Sequence, residues 1–346
     1  MNTNEKNNFQ PSRLSDIAKI AGVSRITVSK ALLGTGGTNA RMSEATRKRI
    51  LEIAAAANYR PNMAARMLTG KRSGIIGVLI DSQAPLMWFE CIRHMEKAAT
   101  EKGFRLMIAQ QHESVENILE YAMDFAAYGA EGIISFVHGY PELKKQITKF
   151  MRVIPNVVYI GKPDLKNAAS VEVDIESGIN AIIKHLIKQG RKRIGISLVG
   201  RGSKVCEHRY TGYVNSIQSS RLEFDENLIL IDDAFKTETI GNARRIIDLL
   251  VVKNKADAIV AQNDLFAALI INELCRQGYR VPADIAVSGF DDNAFAEVFS
   301  PPITTVRQPL ELIASEAINL LNEMIIKKSS GRSVTIKPEF IVRKSA

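Results

Sequence analysis

Aromatic side chains are scarce in this chain: they make up 6% of its 346 residues, and Trp88 is its single tryptophan. Any ring at a surface therefore stands out against a largely aliphatic background. Cysteines number three, Cys91, Cys206 and Cys275, which are far apart and match no metal-ligand spacing. That excludes a disulfide-stapled scaffold and points to buried or half-buried thiols in a reducing cytosol. The longest apolar runs, Gly74–Ile80 and Ile194–Val199, fall far short of the roughly 20 residues of a bilayer-spanning helix. Met1 to Gln10 is polar and Asn-rich, without the hydrophobic stretch of a secretory signal. It reads as part of a disordered lead-in over 1–11, and a cytoplasmic location with no membrane partner is expected. An activated nucleophile, paired carboxylates at a catalytic spacing and a phosphate-binding glycine loop are also missing. No enzyme chemistry, cofactor or metal is expected.

What is present is positive charge, concentrated in one place. Residues 1–73 hold thirteen Lys and Arg against four Asp and Glu, a net +9, and the whole chain is also +9. Residues 74–346 are therefore neutral overall, and the entire excess sits on the amino-terminal fifth. A basic footprint of this kind suits a polyanion.

The same segment has the grammar of two short helices about a tight turn. Ile17, Ala18 and Ala21 recur at helical spacing, Gly22 supplies the turn, and Ser24 can cap the second helix. Val28 and Leu32 face back to a small core, which leaves Arg25, Ile26, Ser29 and Lys30 outward to meet bases and phosphates. This is a helix-turn-helix, whose second helix enters the major groove; pattern alone also allows an ordinary helical hairpin. Ser43 can cap a third helix running to about Ala57, with Ile50, Ile53, Ala54 and Ala57 inward, and Tyr59 placed to pack on the unit. The helix-turn-helix headpiece spans 12–60. Beyond Pro61, Asn62 to Gly70 is a short run of helix formers, too short to hold a helix alone, and 61–73 reads as a hinge helix and linker.

From Gly74 the texture changes to apolar strands alternating with amphipathic helices, the mark of parallel sheets covered on both faces. Strands are predicted at Ile75–Ile80, Arg105–Gln110, Gly132–Val137 and Asn156–Ile160. After Val171 a second cycle follows, with strands at Arg193–Val199, Leu228–Ile231, Ala258–Ala261 and Ile285–Phe290. The intervening helices are Trp88–Gly103, Val115–Tyr128, Pro141–Phe150, Ile175–Gln189, Arg209–Ser220, Thr237–Leu250 and Asp264–Gln277. Two such sets imply two α/β lobes with ligand chemistry at a cleft between them.

Several motifs in order carry a family resemblance. They are Ile17-Ala18-x-x-Ala21-Gly22-Val23-Ser24-x-x-Thr27-Val28-Ser29, Asn58-Tyr59-x-Pro61-Asn62 and Ala64-Ala65-Arg66-Met67-Leu68 running into Gly74-Ile75-Ile76-Gly77-Val78. Further on come Asn263-Asp264, Val281-Pro282-x-Asp284-Ile285-Ala286-Val287-x-Gly289-Phe290-Asp291 and Pro302-x-Thr304-Thr305-Val306-x-Gln308-Pro309. The chain resembles LacI/GalR-family transcription regulators from about Arg13 to Lys344. The resemblance implies an all-α headpiece and hinge helix, then a two-lobed α/β core like periplasmic sugar-binding proteins, with parallel sheets and three crossings between lobes. It implies lobes of about 74–161 with 291–320, and 162–290 with 321–346, and a homodimer without a tetramerising tail.

It also assigns residues. Arg25 and Ile26 open the recognition helix, where an Arg can read guanine and an Ile can meet a thymine methyl or pack on its neighbouring loop. Ser15, Ser24, Thr27 and Ser29 would position phosphates, and Lys30 could reach either. Leu68 matches a hinge leucine that wedges into the minor groove, with Ala65 allowing close approach of paired hinges and Asn62 starting the helix. Gly34–Met42 is longer than the commonest family loop, which leaves the pose of the third helix open. Arg209, Asn263 and Asp291 fall at the family's polar ligand anchors, a set suited to the hydroxyls of a sugar-like effector. Trp88 and Phe235 stand at cleft edges where a ring can stack on such a ligand, while Phe136 is as readily core. His138 and Asp81, Ser82 and Gln83 rank below this set. The function implied is a repressor of double-stranded DNA operators; a cytoplasmic sugar-binding protein and a sequence-indifferent architectural DNA binder remain open.

Overall fold

The structure, a computed structural model, describes residues 13–33, 42–59, 72–82, 84–111, 115–136, 156–163, 165, 167–232 and 239–346. The lead-in, the loop 34–41, the hinge with Asn62, Ala65 and Leu68, the helix at 141–150, Gln83, His138 and Phe235 lie outside the described residues. The chain divides into two compact units, Met1–Ser73 and Gly74–Ala346.

In the first unit, α1 (Leu14–Ala21), α2 (Arg25–Leu33) and α3 (Glu44–Ala56) enclose a core of Ile17, Ala18, Ala21, Val28, Ala31, Ile50 and Ala54. Each boundary has a local cause. Gly22 ends α1 in the left-handed region at φ 61°, where a side chain is disfavoured. Ser24 starts α2 by accepting the Thr27 N–H at 3.1 Å, and Ser43 starts α3 by accepting the Thr46 N–H at 3.1 Å. Tyr59 packs against the outside of this core.

The second unit is a tandem of α/β lobes. Its elements run β1 (Ile75–Asp81), α4 (Leu86–Glu101), β2 (Arg105–Gln111), α5 (Val115–Ala127), β3 (Gly132–Ser135), β4 (Val157–Ile160) and β5 (Ala169–Val173). Then follow α6 (Ile175–Lys188), β6 (Ile194–Leu198), α7 (Lys204–Gln218), β7 (Ile229–Ile231), α8 (Ile240–Ile247), β8 (Ala258–Val260), α9 (Asp264–Arg276) and β9 (Ala286–Ser288). The chain closes with α10 (Phe295–Val298), β10 (Thr305–Arg307), α11 (Leu310–Lys327), β11 (Ser333–Ile336) and β12 (Glu339–Ile341). One parallel sheet has the order β11-β5-β4-β3-β1-β2, the other β7-β6-β8-β9, and β10 pairs antiparallel with β12. Met95 of α4 and Ile313, Ala317 and Leu321 of α11 cover the first sheet at Ile134, Val158 and Val171. On the second sheet, α6 and α7 pack one face around Ile182 and Tyr213. Helices α8 and α9 pack the other around Ile246, Phe266 and Ile270.

Strand pairing redraws the expected lobes. β5, assigned from the sequence to the second lobe, pairs with β4. β11, also assigned there, pairs with β5. Residues 291–307, assigned to the first lobe, instead follow the second sheet through the bridges Ser288↔Thr304 and Asp291↔Arg307. Backbone hydrogen bonding decides which sheet a strand joins, and a short apolar run does not encode its neighbour. Cys275 is a smaller correction: it is exposed, whereas Cys91 and Cys206 are buried as expected. Burial pushes the Cys91 thiol up to about 12, so it stays protonated and inert.

Candidate nucleic-acid interface and effector site

In the headpiece the back of α2 is spent on packing. Val28 is fully buried and Ala31 nearly so, while Ile26 keeps 68% of its surface exposed. Arg25 beside it is also exposed. Neither Arg25 nor Ile26 contributes to the core of the unit. The first turn of α2 is thus exposed on the side away from the core. The Ser24 and Thr27 hydroxyls share a hydrogen bond of 2.9 Å, so both are held at the amino end of α2, where phosphate binding is favoured. Ser15 is exposed on α1, and Ser29 and Lys30 are half-buried on α2. Burial raises the Tyr59 phenol above its ordinary value, opposed by the positive charge of Arg25. The guanidinium of Arg49 donates to the Ala21 carbonyl and ties α3 to the turn.

In the second unit Arg209, Asn263 and Asp291 come together at the carboxyl ends of β8 and β9. Arg209, on α7, is 4% exposed. Its guanidinium carbon lies 4.4 Å above the Phe290 ring centroid, a cation–π arrangement. It donates to the carbonyl of Gln262, next to Asn263, while its buried Nε finds no partner. Desolvation lowers its pKa, and the charges of Asp291, Cys206 and Asp264 oppose that. Asn263 caps α9 by accepting the Phe266 N–H at 2.9 Å.

Asp291 is 6% exposed and is held at φ 104°, a region that side-chain-bearing residues seldom adopt. Its N–H donates to Val306 at 2.8 Å, and its carboxylate accepts the Gln308 amide at 2.7 Å. A strained, buried carboxylate beside a buried guanidinium and a half-buried amide is a set of fixed donors and acceptors, the equipment for orienting a polar ligand.

Trp88 lies on α4 in the first lobe, half-buried, with its ring centroid 5.4 Å from that of Phe136 at 57°. Both rings pack on that lobe's core. Asp81 ends β1 and is half-buried.

Sequence reasoning passed over Asp264, Thr305 and Gln308, which surround the cluster; all three stand in the quoted motifs without a role. It also passed over His208, next to Arg209, whose Nδ1 lies 2.8 Å from the Glu176 carboxylate. Among the described residues no group of three His, Cys, Asp or Glu side chains could hold a metal ion, and no helix is long and apolar enough to cross a membrane.

Comparison with known proteins gives two matches along the chain. Residues 13–62 match the family described as bacterial regulatory proteins, lacI family, and residues 183–346 match the periplasmic binding protein-like domain. The HTH-type transcriptional repressor PurR of Vibrio atlanticus is 28% identical over 332 residues, covering 95% of this chain and 97% of that protein. PurR of Photobacterium profundum is 28% identical over 334 residues, 96% and 98% of the two chains. Among solved structures, the lac repressor dimer bound to operator and the anti-inducer ONPF aligns with a TM-score of 0.81 at 22% identity, covering 97% of this chain and 99% of that one. The transcriptional regulator CelR–cellobiose complex aligns at a TM-score of 0.71 and 24% identity, covering 97% and 100%.

Proposed function

We propose that the chain is a DNA-binding transcription regulator of the LacI type, a repressor whose homodimer binds a pseudo-palindromic operator and responds to a sugar-like effector. Arg25 and Ile26 read base edges in the major groove. Ser15, Ser24, Thr27 and Ser29 hold the phosphate backbone, and Lys30 reaches either bases or phosphates. The hinge from Asn62 through Ala65 brings Leu68 into the minor groove at the central step. The effector binds between the lobes on Arg209, Asn263 and Asp291, with Trp88 and Phe235 lining the cleft. Closure of the lobes then changes the spacing of the two hinges. Such a protein works in the cytoplasm.

The observation that carries the DNA reading is the exposed Arg25–Ile26 pair on α2, in a segment that holds the whole net charge of the chain. The effector reading draws on the buried Arg209–Asp291 cluster, and on the sugar in the cellobiose complex of a structural relative.

The test is selection of bound duplexes from a random library at near-physiological salt. A two-fold symmetric site with a preferred central step is expected. Leu68→Ala should then lose specific binding while keeping the salt-sensitive background. Binding indifferent to sequence, or an equal loss on all duplexes in the Leu68 variant, overturns the operator reading.

A further inference from the structure

Asp264 follows Asn263 directly, yet it faces away from solvent entirely, with 0% of its surface exposed. Its Oδ1 accepts the Thr305 hydroxyl at 2.5 Å. Its Oδ2 accepts the Asn293 N–H at 2.6 Å and the Asn293 amide at 3.3 Å. Its own N–H donates to the Phe290 carbonyl at 3.0 Å. The Gly289 backbone presses so close that a Cβ there would stand 2.3 Å from Oδ1.

Three segments therefore meet on one carboxylate: the start of α9, which carries Asn263; the 289–293 turn, which carries Asp291; and β10. From β10 the chain passes to Gln308, whose amide donates to Asp291 at 2.7 Å and to the Met87 sulfur of α4, in the other lobe, at 3.5 Å. An unbroken run of contacts thus leads from Asp264 to the first lobe.

We propose that Asp264 is the positioning residue of the effector cluster: its carboxylate locks Asn263, Asp291 and the crossing strand β10 into one frame, and gain of a proton there loosens that frame and shifts the lobes. The proposal rests on Arg209, Asn263 and Asp291 being the effector site.

Asp264 itself is a carboxylate with three donors aimed at it, so the ionised form fills every contact. A proton on Oδ2 would set a donor against the two donors of Asn293, and that turn carries Asp291. The surroundings bring this proton within reach of ordinary conditions. Burial raises the carboxyl to about 7, with Asp291 adding to the rise and the hydrogen bonds from Thr305 and Asn293 opposing it. The charged groups facing it are Asp291 from the turn and the Arg209 guanidinium from α7. Asp292 of the turn and Arg307 of β10 are paired with each other at 2.7 Å.

Trp88, the single tryptophan of the chain, adjoins Met87 and serves as the probe. Its emission is followed on the full-length protein, without operator or ligand, from about pH 5.5 to about pH 8.5, either side of the Asp264 value of about 7. One transition near the middle of that range is expected. Asp264→Asn, which imitates the protonated acid, should abolish it and hold the low-pH emission throughout. Thr305→Val keeps the carboxylate but removes a donor, and should raise the midpoint by about one pH unit, the scale of one hydrogen bond to a charged group. That second variant decides the matter if the first does not fold. His94→Gln, on the same helix as Trp88, should keep the wild-type midpoint.

Absence of any transition, its persistence in the Asp264→Asn protein, its loss in His94→Gln, or an unmoved midpoint in Thr305→Val overturns the proposal. Because neither operator nor effector is used, such a result leaves the operator and effector readings standing. Those fail separately, through sequence-indifferent DNA binding or a cluster that ignores every sugar.

Discussion

Replacing Gly289 by alanine adds one methyl group against Asp264, beside the proposed effector cluster. The Cβ would stand 2.3 Å from the Asp264 Oδ1, 2.9 Å from its Cα and 3.2 Å from its Cγ. Gly289 is not in the left-handed region, so the cost is steric alone. Carbon and oxygen come to rest roughly 1 Å farther apart than the closest of these distances. The Asp264 side chain cannot yield by that much while keeping the Thr305 hydroxyl at 2.5 Å and the Asn293 N–H at 2.6 Å. Overpacking contributes about 1–3 kcal/mol, and loss of one hydrogen bond to the buried carboxylate adds about 1.5–3 kcal/mol. A total of about 2.5–6 kcal/mol should lower the melting temperature of the large unit by roughly 5–18 °C, at about 2–3 °C per kcal/mol for its size.

The assay is thermal unfolding by circular dichroism, with Gly241→Ala as the matched control. That substitution meets nothing closer than 3.8 Å and lies in the first turn of α8, so it should leave the melting temperature unchanged or slightly raised. A Gly289→Ala protein that melts within about 2 °C of the wild type would refute the reasoning. The Asp264 frame would then be soft, and its hydrogen bonds would not hold Asp291 in place.

Asp264 also dictates a pH dependence of stability. Its folded value of about 7 lies above the unfolded 3.8, so the native state holds the extra proton across that window, and its contribution is complete below 3.8 and lost as pH rises through 7. Urea unfolding should show a loss of about 2–3 kcal/mol between pH 5 and pH 8 that Asp264→Asn lacks, and parallel profiles would count against it. In the headpiece, Ile50→Ala removes a fully buried side chain from a seven-residue core. A cost of about 2–5 kcal/mol should unfold that unit and abolish DNA binding while the melt of the large unit stays put. Tyr213→Phe deletes the buried hydroxyl that donates to Ile194 at 2.7 Å and should cost about 1–3 kcal/mol in chemical denaturation, with no change in effector response.

The headpiece was legible because its signals are local. Gly22, Ser24 and Ser43 each act within one turn of chain, and each does in the structure what its chemistry demands. The alternation of strands and helices in the large unit was legible for the same reason. Sheet membership was not. β5 and β11 join the first sheet through backbone pairing with strands distant in sequence. β10 and β12 are three-residue strands, too short to offer a periodicity to read. Arg209, Asn263 and Asp291 were found through family likeness, whereas Asp264 was not. Two adjacent pairs, Asn263-Asp264 and Asp291-Asp292, look alike as strings. Backbone geometry separates them, sending Asp264 inward to Thr305 and Asp292 to Arg307 and Arg343.

The charge balance of the cluster narrows what it can accept. Counting Arg209, Asp264 and Asp291 alone, one buried guanidinium stands against two buried carboxylates, so with Asp264 ionised this trio is one negative charge in excess. An anionic ligand, such as a phosphorylated sugar, would bring a further unmatched negative charge into a place where unpaired charge is costly. A neutral polyhydroxyl compound adds none, and its hydroxyls can donate to Asp291 while accepting from Arg209 and Asn263. If this cluster is the proposed effector site, acceptance of neutral sugars with rejection of their phosphates is the selectivity this balance predicts. Protonation of Asp264 removes the excess charge, so discrimination against phosphates should weaken as pH falls below about 7. Effector selectivity and pH response would then share one origin, the second carboxylate.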